Sequence, residues 1–347
     1  MITYVLNTDV LGSTRFTFSP LAEVTLSLRL LGCPQPTHIH TPWLRQARQR
    51  LDGVDLPLLL GVTPPGKWIV SCLVPLSPGP QVTIEEQLRG LTQVHPDSLR
   101  HDLEEVWESE PALPRRVQEL VDAGARGIAQ LAETLWDYWD AVIEPYWTKI
   151  CAVLEDDVSF RVAAQVNGGL YALLEDLHPE VSLDGNLLHV DKPKHATATY
   201  EAHSMTLTPS VFAWPGLILD DGEGERFGLT YAARGVGRVW EGLSTMDRTD
   251  DEDPLAALLG RTRAAILEMT AVPLSTTQIA HQLGQSPGSV NQHLSVLRGS
   301  GLVVSRRSGR SVLYRQTPLA QSMIAAQQMA RHGSSTVAPP RQLGRLT

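Results

Sequence analysis

Three things are scarce in this 347-residue chain, and each scarcity excludes something. Only three cysteines occur, Cys33, Cys72 and Cys151, scattered and without metal-site spacing. That excludes a disulfide framework and fits a reducing compartment. Lysine occurs four times against 25 arginines, a bias that fits a GC-rich genome. Long apolar runs are missing too. The longest, at 56–62 and 68–76, fall far short of the ~20 residues of a membrane-spanning helix. The first ten residues have neither the basic start nor the apolar stretch of a secretory signal. A cytoplasmic protein with no membrane partner is expected. Gly-x-Ser-x-Gly, P-loop and paired nucleophile–base patterns are also absent, so no catalytic residue and no cofactor is expected.

The net charge of -9 hides a division. From Pro254 onward there are ten arginines, no lysine and one carboxylate, Glu268, a balance of +9. The rest of the chain therefore carries -18. Such asymmetry predicts that one part touches nucleic acid and the other does not. The expected domains are 1–246, an acidic linker at 247–253, a DNA-binding domain at 254–333 and a disordered tail at 334–347.

The basic part has a readable order. Asp253-Pro254 starts a helix, with Leu255, Leu259, Thr262 and Ile266 at helical spacing. Ser275 and Gln278 form a capping box for a second helix. Gly284-Gln285 makes a turn, and Ser286-Pro287 starts a third helix running to about Gly299. Val290, Leu294 and Leu297 share one face of that helix and point inward. Gly288, Gln292 and Ser295 point the other way, with Ser289 and Asn291 on the flanks. Small residues permit close approach, and amides read base edges in the major groove. We therefore assign Gly288, Ser289, Asn291, Gln292 and Ser295 to base reading. Ser286 and His293 suit phosphate contacts.

A hairpin follows, Leu302–Arg307 and Arg310–Arg315 around Ser308-Gly309. That turn would set Arg307 opposite Arg310. Facing like charges destabilise a free hairpin, and a phosphate backbone would remove the cost. Arg306, Arg307, Arg310, Ser311 and Tyr314 are the expected wing contacts, with double-stranded DNA as the partner.

The stretch from Leu258 to Pro318, including LSTTQIAHQLGQSPGSVNQHLSVLRGSGLVVSRRSGR, resembles the winged helix of ArsR-type (arsenic-repressor-like) bacterial transcription regulators. The resemblance covers roughly 65 residues and implies a repressor. It also implies dimerisation through the first and last helices of the domain, which suits Leu319, Met323, Ala326 and Ala330. Many metal sensors of the family carry Cys-x-Cys where Ser275 and Thr277 stand here, and hydroxyls do not hold soft metals. A second family site uses Asp and His on the last helix, whereas 318–332 has no carboxylate and a single His. No metal is expected.

The larger part reads as helices with short strands. Expected helices start at Ser19-Pro20, Thr41-Pro42, Thr83 (a capping box with Glu86) and Pro96. Residues 56–80 read as loops. A long helical region runs over 114–177, interrupted at Pro145 and weakened at Gly168-Gly169. Strands are expected at 2–6, 181–183, 187–190, 205–208, 217–219 and 227–232, then a short helix near 239–243. The whole is α+β, mainly helical: a large N-terminal helical domain with short strands, plus a C-terminal winged helix-turn-helix. Tyr138-Trp139, Pro145-Tyr146-Trp147, the run 209–215 and the run 231–237 resemble the uncharacterised domain that precedes the winged helix in some actinobacterial ArsR-type regulators.

Other constellations read as ordinary structure: His189, Asp191, His195, Glu201 and His203 as a solvated hairpin and loop, His38-x-His40 as a surface loop, and Arg234–Arg238 as a turn. Trp136, Trp139, Ile143 and Trp147 lie on one helical stripe. They offer either core packing or an apolar effector pocket. The favoured function is a homodimeric, nucleoid-associated repressor whose N-terminal domain senses a small molecule or a partner. The alternatives are an enzyme fused to a DNA-binding domain and a constitutive architectural DNA binder.

Overall fold

The computed structural model describes residues 1–33, 38–76, 82–174, 177–191, 198–213, 216–220, 226–240, 254–271, 273–308 and 311–324. The expected linker at 247–253 and tail at 334–347 lie outside them. The chain divides into two compact units: Met1–Met246 with Ala280–Ser286, and Asp247–Ile279 with Pro287–Thr347.

The N-terminal part opens with β1 (Ile2–Leu6), α1 (Thr8–Ser13) and β2 (Arg15–Phe16). Helices follow: α2 (Pro20–Leu31), α3 (Thr41–Arg50), α4 (Leu56–Val62), α5 (Ile84–Leu91), α6 (Pro96–Val106), α7 (Arg115–Asp122), α8 (Ala125–Val142) and α9 (Trp147–Leu174). Six strands close the unit: β3 (Val181–Asp184), β4 (Leu187–Val190), β5 (Ala198–Ala202), β6 (Ser204–Ser210), β7 (Ile218–Asp220) and β8 (Arg226–Ala232). The architecture is mainly helical with several short sheets.

Local chemistry sets most helix starts. Ser19 Oγ accepts the Ala22 amide at the head of α2. The Thr83–Glu86 box on α5 makes both its bonds, at 3.0 and 3.3 Å. Helix α4 corrects the reading of 56–80 as loops: Asp55 caps it through the Leu58 amide, and Pro57 sits in its first turn. Asp-x-Pro before an apolar run was the signal. The long region splits at Gly124, whose φ is +59, and again at Pro145. Gly169, with φ +69, interrupts α9.

The strands form two four-stranded sheets, ordered β3-β4-β1-β5 and β2-β6-β8-β7. Strand β1 pairs antiparallel with β4 and parallel with β5, while β6 runs parallel to β8 over seven residue pairs. The inward side chains of the two sheets share one core, in which Tyr4 stacks on Phe227 with centroids 4.1 Å apart. Strand β5 falls where the sequence reading had no element.

The second unit contains α10 (Pro254–Leu259), α11 (Arg261–Met269), β9 (Leu274–Ser275), the start of α12 (Thr276–Leu283), α13 (Pro287–Gly299), β10 (Val303–Ser308) and β11 (Ser311–Gln316). One continuous first helix was expected. Gly260, with φ +83, breaks it into α10 and α11. A further helical stretch is seen at 318–324. Ala326 and Ala330 lie outside the described residues. Among the described residues no helix is long and apolar enough to cross a membrane.

Candidate nucleic-acid interface

Helix α12 is capped as its sequence demands. Ser275 Oγ accepts the Gln278 amide at 3.2 Å, and Gln278 Oε1 accepts the Ser275 amide at 2.8 Å. Gly284, at φ +64, turns the chain into α13. On α13, Val290, Leu294 and Leu297 are buried. Gly288, Asn291, Gln292 and Ser295 are exposed, while Ser289 and His293 are half-buried. Ser286, just before the helix, is exposed. The exposed face thus presents an uncharged row of amides and small groups, with Arg298 at its C-terminal end. An arginine there also complements the helix dipole.

The wing is a three-stranded sheet, ordered β10-β11-β9. Buried Gln316 ties it to α11: its amide donates to Thr270 O at 2.8 Å, and its Nε2 donates to Leu267 O at 2.7 Å. The register corrects the sequence reading. Arg307 pairs with Val312 and Ser308 with Ser311, so Gly309 and Arg310 are the two linking residues. Both lie outside the described residues, as does the Ser311 side chain. The expected clash of Arg307 with Arg310 is therefore not part of the described ladder.

Strand alternation then regroups the arginines. Arg306 pairs with Leu313, and Arg315 pairs with Val304. Arg306 and Arg315 are diagonal neighbours on one face, ~7–8 Å apart at the backbone, and both are exposed. Arg315 was not among the expected wing residues; the register of the ladder is what sets it beside Arg306. Arg307 is exposed near the tip. Tyr314 is a correction: it is 7% exposed and pairs with buried Leu274. Its ring belongs to the core of this unit, because the in–out alternation puts it on the face that carries Gln316.

The expected effector stripe does not form one surface. Ile143 and Trp139 are buried, and Trp139 packs edge-to-face on Trp147 at 4.9 Å. Trp136 is 38% exposed and faces elsewhere. It lines an open groove of about 450 Å³ whose other wall is Leu88 and Arg89 of α5 and Thr92 just after it. The physical reason is the phase of α8. Its buried edge runs through Ile128, Leu131, Leu135, Tyr138 and Val142, and Trp136 falls outside that arc. Of the four, Trp136 alone lines this groove.

Residues 258–306 match the family described as a helix-turn-helix domain. The chain carries an ArsR-type helix-turn-helix domain. Residues 93–237 match a second family, DUF5937, described as being of unknown function. A 61-residue stretch is 41% identical to the HTH-type transcriptional regulator NmtR of Mycobacterium tuberculosis. It covers 17% of this chain and 51% of that protein, so the chain spans about half the length of this curated relative. A solved structure of a Lactococcus lactis ZitR double mutant in apo form is 30% identical, over 23% of this chain and 63% of that one, with a TM-score of 0.20.

The other constellations resolve individually. His189 Nδ1 lies 3.0 Å from Thr3 Oγ1 across the β1–β4 pair, and His203 Nδ1 lies 3.2 Å from Asn7 Nδ2. His195 lies outside the described residues. Arg234 to Arg238 includes the positive-φ turn at Gly235 and leads into a 3₁₀ turn ending at Trp240. His40, expected in a surface loop, is fully buried.

Proposed function

We propose that this chain is a sequence-specific, DNA-binding transcription regulator that acts as a homodimeric repressor in the cytoplasm, at the nucleoid. The observation that carries the reading is the pairing of an exposed, uncharged α13 face with exposed wing arginines in a part of the chain balanced at +9. Phosphate contacts fix position, and base-edge contacts carry sequence information. Arg306, Arg307 and Arg315 take the first role. Gln292, Asn291, Ser295, Ser289 and Gly288 take the second. Arg310, Ser311, Ser286 before α13 and His293 in the middle of α13 take phosphate roles as well. The name of the M. tuberculosis relative, a transcriptional regulator, supports the same reading.

Leu258 is 70% exposed and Leu319 is 55% exposed, on the first and last helical stretches of the domain. Exposed leucines at those places suit a dimer seam. The signal is a small molecule or a partner rather than a metal, because Ser275 Oγ is engaged in capping α12 and a hydroxyl is a poor ligand for soft metals. Footprinting on the DNA around its own gene tests this function. The expected result is one protected region with two half-sites about 10 base pairs apart, or a multiple of that. Uniform protection of unrelated DNA would overturn the specific reading and favour an architectural binder.

A further inference from the structure

One face of α8 sets two carboxylates around a ring. Glu133, Trp136 and Asp137 stand at i, i+3 and i+4, so they are neighbours on the helix surface. All three are exposed and line the open groove of about 450 Å³ against α5. Buried Leu88 and Ala132 line it too, with Arg89 as the basic residue of the lining. Arg89 lies one turn after Glu85 on α5, and that carboxylate attracts it. The groove therefore holds two carboxylates against one cation that is already engaged. Asp140, exposed one turn beyond Trp136, adds to the negative side.

Neither groove carboxylate is answered from within the chain. Glu133 and Asp137 form no hydrogen bond or ion pair among the described residues. Like charges at i and i+4 repel, so the pair weakens its own helix slightly. The Trp136 ring is likewise unpartnered: it makes no ring–ring or cation–ring contact among the described residues. Two other rings of this unit do carry a cation. Lys67 Nζ lies 4.3 Å from the centroid of Trp107, and the Arg234 guanidinium lies 3.3 Å from that of Phe160. Tryptophan has the ring face that attracts a cation most strongly.

We propose that this groove binds a small organic cation with an apolar body, an aryl or alkyl ammonium ion. The ammonium head sits against the Trp136 ring between the Glu133 and Asp137 carboxylates, and the body rests on Leu88 and Ala132. Each part of the lining then has a use: the indole attracts charge, the carboxylates supply counter-charge, and the apolar residues cover the body. An anion would be repelled by the two carboxylates, and a neutral molecule gains nothing from them. The groove is open, so the ligand enters without displacing a helix. Exposed cation–ring contacts and exposed ion pairs are individually weak, so a Kd on the order of 0.1–1 mM is expected. Binding here stands apart from DNA; its use as the regulator's signal rests on the function proposed above.

The test uses the full chain with benzyltrimethylammonium as the probe. Benzyl alcohol and benzoate are the neutral and anionic controls, and binding is read by titration calorimetry without DNA. The cation should bind roughly fivefold tighter than either control, or better. Trp136→Leu keeps an apolar side chain and should weaken the cation by about two- to fivefold. Glu133→Gln combined with Asp137→Asn should weaken the cation by roughly fivefold and leave benzyl alcohol unchanged. Arg89→Gln should act in the opposite direction and tighten cation binding. All four positions are exposed, and unchanged melting temperatures check that the variants fold. No binding of the cation by the wild type at millimolar concentration, or equal binding of all three compounds, would overturn the site. So would an undiminished affinity in both the Trp136 and the double-carboxylate variants. Because this readout contains no DNA, a failure to bind DNA would count against the regulator reading alone. Probe binding that leaves DNA affinity unchanged would remove the effector role.

Discussion

The two units treat charge in opposite ways. The N-terminal unit carries the acidic balance and buries ionisable groups: Glu23, His40, Asp157, Arg161 and His178 are all inside. The described residues of the second unit include no buried carboxylate, imidazole or whole guanidinium side chain, although Arg263 Nε is buried; their buried polar side chains are Thr270, Ser275 and Gln316, with the Tyr314 phenol beside them. Arg261, Arg298, Arg306, Arg307 and Arg315 are exposed there. A buried charge costs free energy unless it is paired, and it makes packing depend on that partner. Surface arginines leave the core indifferent to charge and available to phosphate. The first pattern suits a body whose packing can be perturbed by a signal. The second suits a rigid reader.

The comparison breaks most sharply at Asp157. Its carboxylate accepts from Tyr231 Oη at 2.6 Å and from the Arg234 amide at 3.1 Å, with Arg161 Nε 3.9 Å away. Asp157→Ala should cost about 3–5 kcal/mol in denaturant unfolding, because it leaves the buried Arg161 guanidinium without its counter-charge. A loss under about 1 kcal/mol, the scale of an exposed pair, would show that the buried network is not holding the unit together.

Glu23 gives the next effect. Burial raises its pKa from 4.5 to about 7, against the pull of its three hydrogen bonds. The folded state therefore holds a proton that the unfolded chain releases. That contribution is fully present below about pH 4.5 and is lost as pH rises through about 7. It amounts to on the order of 3 kcal/mol. Glu23→Gln should flatten the fall in stability across that window, measured by denaturant titration at several pH values. An unchanged pH profile would contradict this account of Glu23.

On the other side of the comparison, Arg306→Ala and Arg315→Ala should leave the fold intact and weaken specific and random DNA alike. Each should reduce the salt dependence of binding by about one unit per lost phosphate contact. Salt titrations read this, and an unaltered slope for Arg315→Ala would remove it from the wing surface. The smallest expected effect is none. With Cys33, Cys72 and Cys151 replaced, micromolar zinc, cadmium or arsenite should not release the protein from DNA in a gel-shift assay. Release by any of them would restore a metal-sensing role.

The reader domain was the more legible half, for a physical reason. Its helix starts, turn glycine and the outward face of α13 depend on short-range chemistry: the Ser275–Gln278 box, Gly284, and the Val290–Leu294–Leu297 edge. Its errors lay where two local options compete, as at the wing turn and at Gly260. In the N-terminal unit the helix caps were legible, but long-range placement was not. The phase of α8 was a local signal: the apolar row Ile128, Leu131, Leu135, Tyr138 and Val142 already sets Trp136 outside the buried edge, and the tryptophan spacing obscured it. His40 is the long-range case: nothing in His38-x-His40, among Pro and Thr, reveals that His40 ends up against Phe212 and Trp240, which are 172 and 200 positions away.

The most direct test of the reader assignment is Gln292→Ala, titrated on a footprinted operator and on random duplex at matched salt. Gln292 is exposed on α13. A base-edge contact there should make the specificity ratio fall by about 1–3 kcal/mol while random binding holds. Equal loss on both DNAs, or no loss on either, would contradict the assignment of α13 as the reading helix.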